Sequence, residues 1–245
     1  MWEILTTQLP SLLIGQYPNG PLGGVVLTLI LSVLGLALAF PLSIALALCR
    51  LSPFLVLRVP STVLVYVIRG IPLVMLVFWS YFLVPSLIGR TVSAFTTLTV
   101  TLVIYQAAYM SEIVRAGIEA LPDGQREASR SLGLGYARTM FYVIMPQALY
   151  NMLPSLISQF VSTIKETSIG YVISVHELTY SANQVNSALL VKPLQVFLTL
   201  SVIYFLVCYS LTRTAKEIEK RINRRRQGAV VLLSGEANDP ILQRQ

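Results

Sequence analysis

The sequence predicts an all-α membrane protein with five transmembrane helices, and three observations carry that prediction. Hydrophobic residues make up 55% of the 245 residues and charged residues only 12%, against roughly a quarter charged in soluble domains. Mean hydropathy is +0.70. The apolar residues fall in long runs separated by short polar stretches, at about 22–48, 59–88, 91–114, 149–175 and 193–212. Each run is long enough to cross a hydrocarbon layer, for which about 20 residues suffice.

Residues 22–48 form an uncharged run closed by Arg50, and Ser52-Pro53 then marks a turn toward Arg58. The second run, 59–88, is interrupted by Arg69-Gly70-Ile71-Pro72, where a proline without a backbone donor predicts a kink or a fresh helix start. Trp79, Tyr81 and Phe82 near its far end fit an interfacial aromatic belt. The third run ends in Glu112 and Arg115; the fourth carries Lys165-Glu166 near its middle, and Pro154 in its first turn reads as a helix-start proline. Residues 176–192 are a polar connector, and the fifth run leads into a basic tail that includes Arg213, Lys216 and Lys220. The spans and the tail's base make one domain, 1–227, and 228–245 reads as a disordered tail. The first 21 residues lack Lys and Arg, so the basic start of a signal peptide is missing there.

The basic residues set an expected orientation. With the N-terminus outside, the inner segments hold Arg50, Arg58, Arg115, Arg126, Arg130, Arg138 and the basic tail, whereas the outer segments hold Arg90 and Lys192. That asymmetry follows the positive-inside rule and puts the C-terminus in the cytoplasm. The net charge of +7 then reads as a membrane-lipid contact rather than a nucleic-acid surface.

One cytoplasmic stretch, 117–147, stands apart. It holds Glu119, Asp123, Glu127 and three arginines between apolar runs. Asp123 is placed to cap a short helix over 124–132, Gly133 and Gly135 to end it, and a second short helix over 136–145 is expected to stop at Pro146. Two short helices at an angle make a docking surface.

Within the spans, Arg69, Lys165 and Glu166 are the titratable groups, and such residues mark function by default. Around Lys165 and Glu166 lie Gln159, Thr163, Thr167 and Ser168. This polar set suits a water-filled path, and equally a helix buried at a subunit contact. Arg69 belongs either to that path or to a membrane edge, where it would snorkel toward headgroups. Cys49 and Cys208 lie in separate apolar runs and read as packing residues, and His176 has no companion ligands, so neither a metal site nor a catalytic constellation is expected.

The motifs carry a resemblance. Glu127-Ala128-Ser129, then Gly133, Val143 and Met145-Pro146, resemble the EAA loop of ATP-binding-cassette importer permeases, E-A-A-x3-G-x9-I-x-L-P, with Ser, Val and Met as substitutions. Arg69-Gly70-Ile71-Pro72-Leu73, the segment from Ala108-Tyr109 through Glu112 and Arg115 to Gly117, Lys165-Glu166-Thr167-Ser168 and Glu177-Leu178-Thr179 are similar to segments of the polar-amino-acid branch. The resemblance covers about residues 20–215, and the run from Ile71 to Pro85 looks most like glutamate and aspartate permeases.

The resemblance implies a type I, five-helix permease core in the bacterial inner membrane, without catalysis or a cofactor of its own. Its expected partners are an ATPase dimer carrying ATP-Mg, a second permease subunit (identical or a sister) and an extracytoplasmic amino acid binding protein. Asp123, Gly124, Glu127, Ala128, Ser129, Gly133 and Pro146 would form the ATPase-coupling element. Lys165, Glu166, Thr163, Gln159, Thr167, Ser168 and Arg69 would line the substrate path. The alternatives are a standalone secondary carrier or channel, or a permease for glutamine, arginine, histidine or cystine.

Overall fold

The computed structural model describes residues 2–189 and 192–237, and its regular elements among them are all helices, joined by short turns. Helix α1, Trp2–Ile14, precedes α2, Gly24–Leu51. The α2 helix packs along α6, Ala94–Glu119. The inner face of α2 carries Ser32, Gly35, Ala39, Ser43 and Ala47, all buried and spaced three or four residues apart. Small side chains on one stripe let two backbones approach closely, which is how apolar helices associate in lipid.

Helix α3, Leu55–Gly70, and the segment Leu73–Ile88 meet at a bend of 103°, so the kink expected at Arg69-Gly70-Ile71-Pro72 is there. Beyond it lie α4 (Leu73–Phe78), a π-helical turn (Trp79–Leu83) and α5 (Val84–Ile88). A second π-helical turn, Thr139–Ile144, follows the short α8, Tyr136–Arg138, and runs directly into α9, Met145–Glu166. Both π-turns come just before a proline, Pro85 and Pro146. Within an α-helix the proline ring meets the carbonyl four residues back. The wider turn, closed by Val84 N–H to Trp79 O and by Met145 N–H to Met140 O, accommodates the ring without ending the helix.

Several expectations are corrected here. Pro146 does not stop the second short helix, which continues through it into α9. Pro154 is inside α9 rather than at its start. The third apolar run extends as helix to Glu119, into the polar stretch. The connector 176–192 is mostly α10, Leu178–Leu189. The last helix, α11, spans Pro193–Ala237, so residues 228–237 are helical rather than tail; 238–245 lie outside the described residues.

Three described helices are long and apolar enough to cross a membrane: Gly24–Leu51, Ala94–Glu119 and Pro193–Glu217. The bent pair Leu55–Gly70 and Leu73–Ile88 makes a fourth if it is one span. The run expected at 149–175 divides into α9 and a 3-10 turn, Thr167–Ile173, and is not among them. Its Asn151, Ser155, Ser158, Gln159, Ser162, Lys165 and Glu166 account for that. The protein is a multi-pass membrane protein in which α9 is covered by other helices, chiefly α6, α2 and α11.

Candidate functional site

The polar stretch builds one short exposed helix, α7, Gly124–Ser131. Its start departs from expectation: Asp123 sits at the cap position in helical backbone, and its side chain makes no cap hydrogen bond. Instead its carbonyl accepts from Arg126 N and Glu127 N, at 2.8 and 3.0 Å, and its carboxylate lies 3.8 Å from Arg126. The end is as the glycine implies. Gly133 has φ +75°, Leu134 N–H reaches Ser129 O at 3.0 Å, and Gly133 N–H reaches Arg130 O at 2.9 Å. This pair of bonds is a Schellman motif, whose left-handed position favours glycine.

Glu127, Ala128, Gly133 and Pro146 are exposed, whereas Ser129 is buried and donates its hydroxyl to Gln125 O at 2.7 Å. A small third residue is what this inward position accommodates. Leu132, Tyr136, Phe141 and Tyr142 are exposed around α7, at 80, 54, 58 and 78%. Together they make an exposed apolar rim beside an acidic and basic helix. Behind α7, a cavity of about 140 Å³ is lined by Arg126, Arg130, Tyr136 and Met140 among others.

From this surface a continuous path runs inward. The α7 helix packs on the π-turn Thr139–Ile144, and Gln147 bridges the two layers, donating to Val143 O at 2.8 Å and to Gln125 Oε1 at 3.4 Å. The π-turn is continuous with α9. At Gly117 the α6 backbone lies so near α9 that an added Cβ would stand 2.5 Å from Met152 Cγ.

Farther along α9, the predicted path residues separate into two faces. Thr163 and Thr167 are fully buried, and their hydroxyls bond backward to Gln159 O and Ile164 O. Ser168 does the same to Lys165 O. Gln159 and Glu166 turn toward α6 and meet Gln106, a fully buried side chain. Gln159 Nε2 donates to Gln106 Oε1 at 2.6 Å, and Gln106 Nε2 donates to Glu166 Oε2. Gln106 therefore uses its acceptor and one donor to join two turns of α9. Lys165 points away and is exposed in a groove of about 270 Å³ between α9 and α11, with Ser158, Ser162, Thr212 and Lys216.

Arg69 belongs to the same region by way of α6. Its guanidinium stands 5.2 Å over the Tyr109 ring, whose centroid is 4.7 Å from that of Tyr105. Tyr105 in turn lies within electrostatic reach of both Arg69 and Glu166. Arg69 Nη1 is also 3.6 Å from Glu112 Oε2. It is held by protein groups at the helix break, not simply extended to a membrane surface. Glu112 further accepts from Arg50 at 2.7 Å and from Arg115, joining α2, α3 and α6.

Sequence reasoning missed Gln106 and the role of Glu112 as a junction. The signal for Gln106 was available: a lone amide inside the apolar run 91–114, three residues before Tyr109. It also missed the buried knot at Glu177, which is 0% exposed. Its two oxygens accept from Thr179 N and Tyr180 N at 2.8 and 2.9 Å, capping α10, and Tyr204 Oη donates to it at 3.2 Å. Next to it, Leu178 N–H bonds Thr28 Oγ1 at 3.1 Å. Burial pushes the Glu177 carboxyl up to about 7.

This arrangement has close relatives. The chain is 36% identical over 205 residues to the inner membrane amino-acid ABC transporter permease protein YhdY of Escherichia coli, covering 82% of this chain and 56% of that protein. It is 36% identical over 203 residues to the probable glutamine ABC transporter permease protein GlnP of Bacillus subtilis, covering 81% of this chain and 91% of that one. Among solved structures, an amino acid ABC transporter crystallised with histidines superimposes with a TM-score of 0.75 at 33% identity, over 81% of this chain and 92% of its own. An inward-facing methionine ABC transporter, MetNI, shares the fold with a TM-score of 0.64 at 17% identity, over 80% and 91% of the two chains. Residues 39–224 match the family described as binding-protein-dependent transport system inner membrane component, and the chain belongs to that family.

Proposed function

We propose that this chain is the transmembrane permease subunit of an ATP-driven importer for a polar amino acid, in the bacterial cytoplasmic membrane. The chain forms the translocation path, and α7 with Gly133 and Pro146 is the element that partner ATPases engage. Asp123, Gly124, Glu127, Ala128 and Ser129 shape that element. The observation that carries the reading is mechanical continuity: α7 rests on a π-turn that is one helix with α9, and α9 holds Glu166 and Gln159 against Gln106. A rigid push on α7 thus reaches the polar centre without a flexible joint, as a two-state access change requires. ATP-Mg is bound and hydrolysed on the partner; a second permease copy or sister closes the path, and an extracytoplasmic binding protein supplies the substrate.

For the substrate we propose glutamate and aspartate, ahead of glutamine. Lys165 and Lys216 in one groove, with Ser158 and Ser162, favour a side-chain carboxylate. Glu166, partly exposed on the neighbouring face and held there by Gln106, suits an α-ammonium. Relatives named for acidic substrates include a glutamate permease of Corynebacterium glutamicum, 32% identical over 197 residues, and a glutamate, glutamine, aspartate and asparagine permease of Rhodobacter capsulatus, 31% identical over 228 residues.

The test is ATPase stimulation in the reconstituted complex with its binding protein, across acidic, amide and basic amino acids. Strongest stimulation by the acidic pair is expected, and strongest stimulation by a basic amino acid would overturn the substrate reading. Substrate uptake by the purified chain in vesicles, without an ATPase, would overturn the importer reading in favour of a secondary carrier.

A further inference from the structure

At the end of α2 a groove of about 430 Å³ opens between α2, α3 and α6. Its charged lining, the floor, is Arg50, Arg58, Arg115 and Glu119, and its apolar lining, the wall, includes Val59, Val63 and Tyr66. Val59 is 50% and Val63 54% exposed, so the wall is open to hydrocarbon. Arg50 is 7% exposed, and although its Nη1 bonds Glu112, its buried Nε has no acceptor. Arg58 is exposed and forms no ion pair among the described residues.

The charges do not balance. Glu112 is shared by Arg50, Arg69 and Arg115, and Glu119 takes Arg115 alone. Four guanidiniums, counting Arg58, therefore face two carboxylates. A buried guanidinium donor without an acceptor is costly, and an anion in the groove would offset that cost. The planar fork of arginine matches phosphate oxygens in particular.

Two sources of phosphate differ in what else they need. A free phosphate would use the floor and leave the wall idle. A phospholipid uses both, because its headgroup sits where a spanning helix ends and its chain runs along that helix. Arg50 is one residue from the end of α2, and Val59, Val63 and Tyr66 follow one another along one exposed face of α3 at spacings of four and three. The surplus of positive charge selects an anionic headgroup over a zwitterionic one. We propose that this groove binds an anionic phospholipid, its phosphate on Arg50, Arg58 and Arg115 and an acyl chain along Val59, Val63 and Tyr66. This rests on the chain being a membrane protein and is independent of the substrate it carries.

The test is native mass spectrometry of the intact transporter complex released from nanodiscs of mixed phosphatidylcholine and phosphatidylglycerol. The complex should retain phosphatidylglycerol selectively, and Arg58→Gln should lower that retention about fivefold, the worth of one surface arginine. Arg58 is exposed and forms no ion pair among the described residues, so this variant removes charge without disturbing packing there. Arg90→Gln, in the loop after α5, should leave retention unchanged. Val63→Trp, which fills the wall without altering charge, should also lower it. Equal retention by Arg58→Gln and the parent would overturn the site. Displacement by millimolar inorganic phosphate, with Val63→Trp without effect, would overturn the lipid in favour of a free anion.

Discussion

Arg50 at the end of α2 and Glu112 on α6 meet at 2.7 Å across 62 residues of sequence. The Arg50 side chain is 4% exposed and that of Glu112 25%, so this pair sits at the rim of the packed region, not on its surface. Around it the same carboxylate collects Arg115 from its own helix and approaches Arg69 from the helix break. One acidic residue thus fixes the relative positions of three helices.

Removing it should be costly. Glu112→Ala leaves Arg50 buried without a counter-charge, and breaking such a pair from one side destabilises by about 3 kcal/mol. Thermal unfolding of the purified protein in detergent should show a clear drop in Tm. The double change Arg50→Met with Glu112→Leu should recover most of it, because the most deeply buried guanidinium is then gone, while Arg115 keeps Glu119 and Arg69 is partly exposed. A double variant as unstable as Glu112→Ala alone would count against the pair as the cause.

The close of α7 makes a second prediction. Gly133 occupies φ +75° with open space around it, so a larger residue is opposed by backbone conformation and not by a clash. Gly133→Val should cost about 1–2 kcal/mol locally while leaving the spans inserted. Substrate-stimulated ATPase activity of the complex should fall severalfold at unchanged expression. Full stimulation in this variant would show that α7 does not transmit the movement.

Gln106 offers a third. Gln106→Leu strands Gln159 and Glu166 without their shared partner, at about 1–3 kcal/mol for a buried unsatisfied group. Uptake should be strongly reduced with assembly intact. Gln106→Glu places a second carboxylate beside Glu166 and should shift uptake from acidic toward basic amino acids in a labelled panel. An unchanged preference would remove this cluster from the specificity site.

Glu177 predicts a pH dependence. Its carboxyl is raised from 4.5 to about 7 by burial, so the folded protein holds the proton more tightly than the unfolded chain. Its contribution to stability is full below the ordinary carboxyl range and is lost as pH rises through about 7. Tm should therefore fall between pH 5 and pH 8, and Glu177→Gln should flatten that slope. Tyr204→Phe, which removes a donor to the carboxylate, should steepen it.

Much of this was legible in the sequence, for identifiable reasons. The kink at Pro72 and the left-handed turn at Gly133 follow from the backbone limits of proline and glycine, which act locally. The membrane character followed from composition, and the motif around Glu127 gave α7 its place. What failed was decided at a distance. Asp123 was expected to cap α7 because aspartate usually does, but its backbone had already turned helical. Pro146 and Pro154 were read as helix punctuation, yet a wider turn absorbs the first and packing against α6 and α11 holds the helix that contains the second. Gln106 and Glu166 lie 60 residues apart, and nothing in either's neighbourhood names the other. The run 149–175 was read as a span from its apolar residues, and its polar side chains, which other helices cover, keep α9 from being apolar enough to count as one.

The wide turn Thr139–Ile144 has a further consequence. A π-turn is an α-helix with one residue too many, and each residue advances a helix by about 100°. The extra residue therefore acts as a phase offset between the docking end and the polar end of a single rod. Remove one residue from 139–144 and the rod closes into regular α-helix, but everything beyond it rotates by about a quarter-turn. Gln159 and Glu166 would then swing off the azimuth of Gln106 together, while the surface around α7 stayed where it is. The proline that enforces the wide turn thus sets the aim of side chains about four to six turns away.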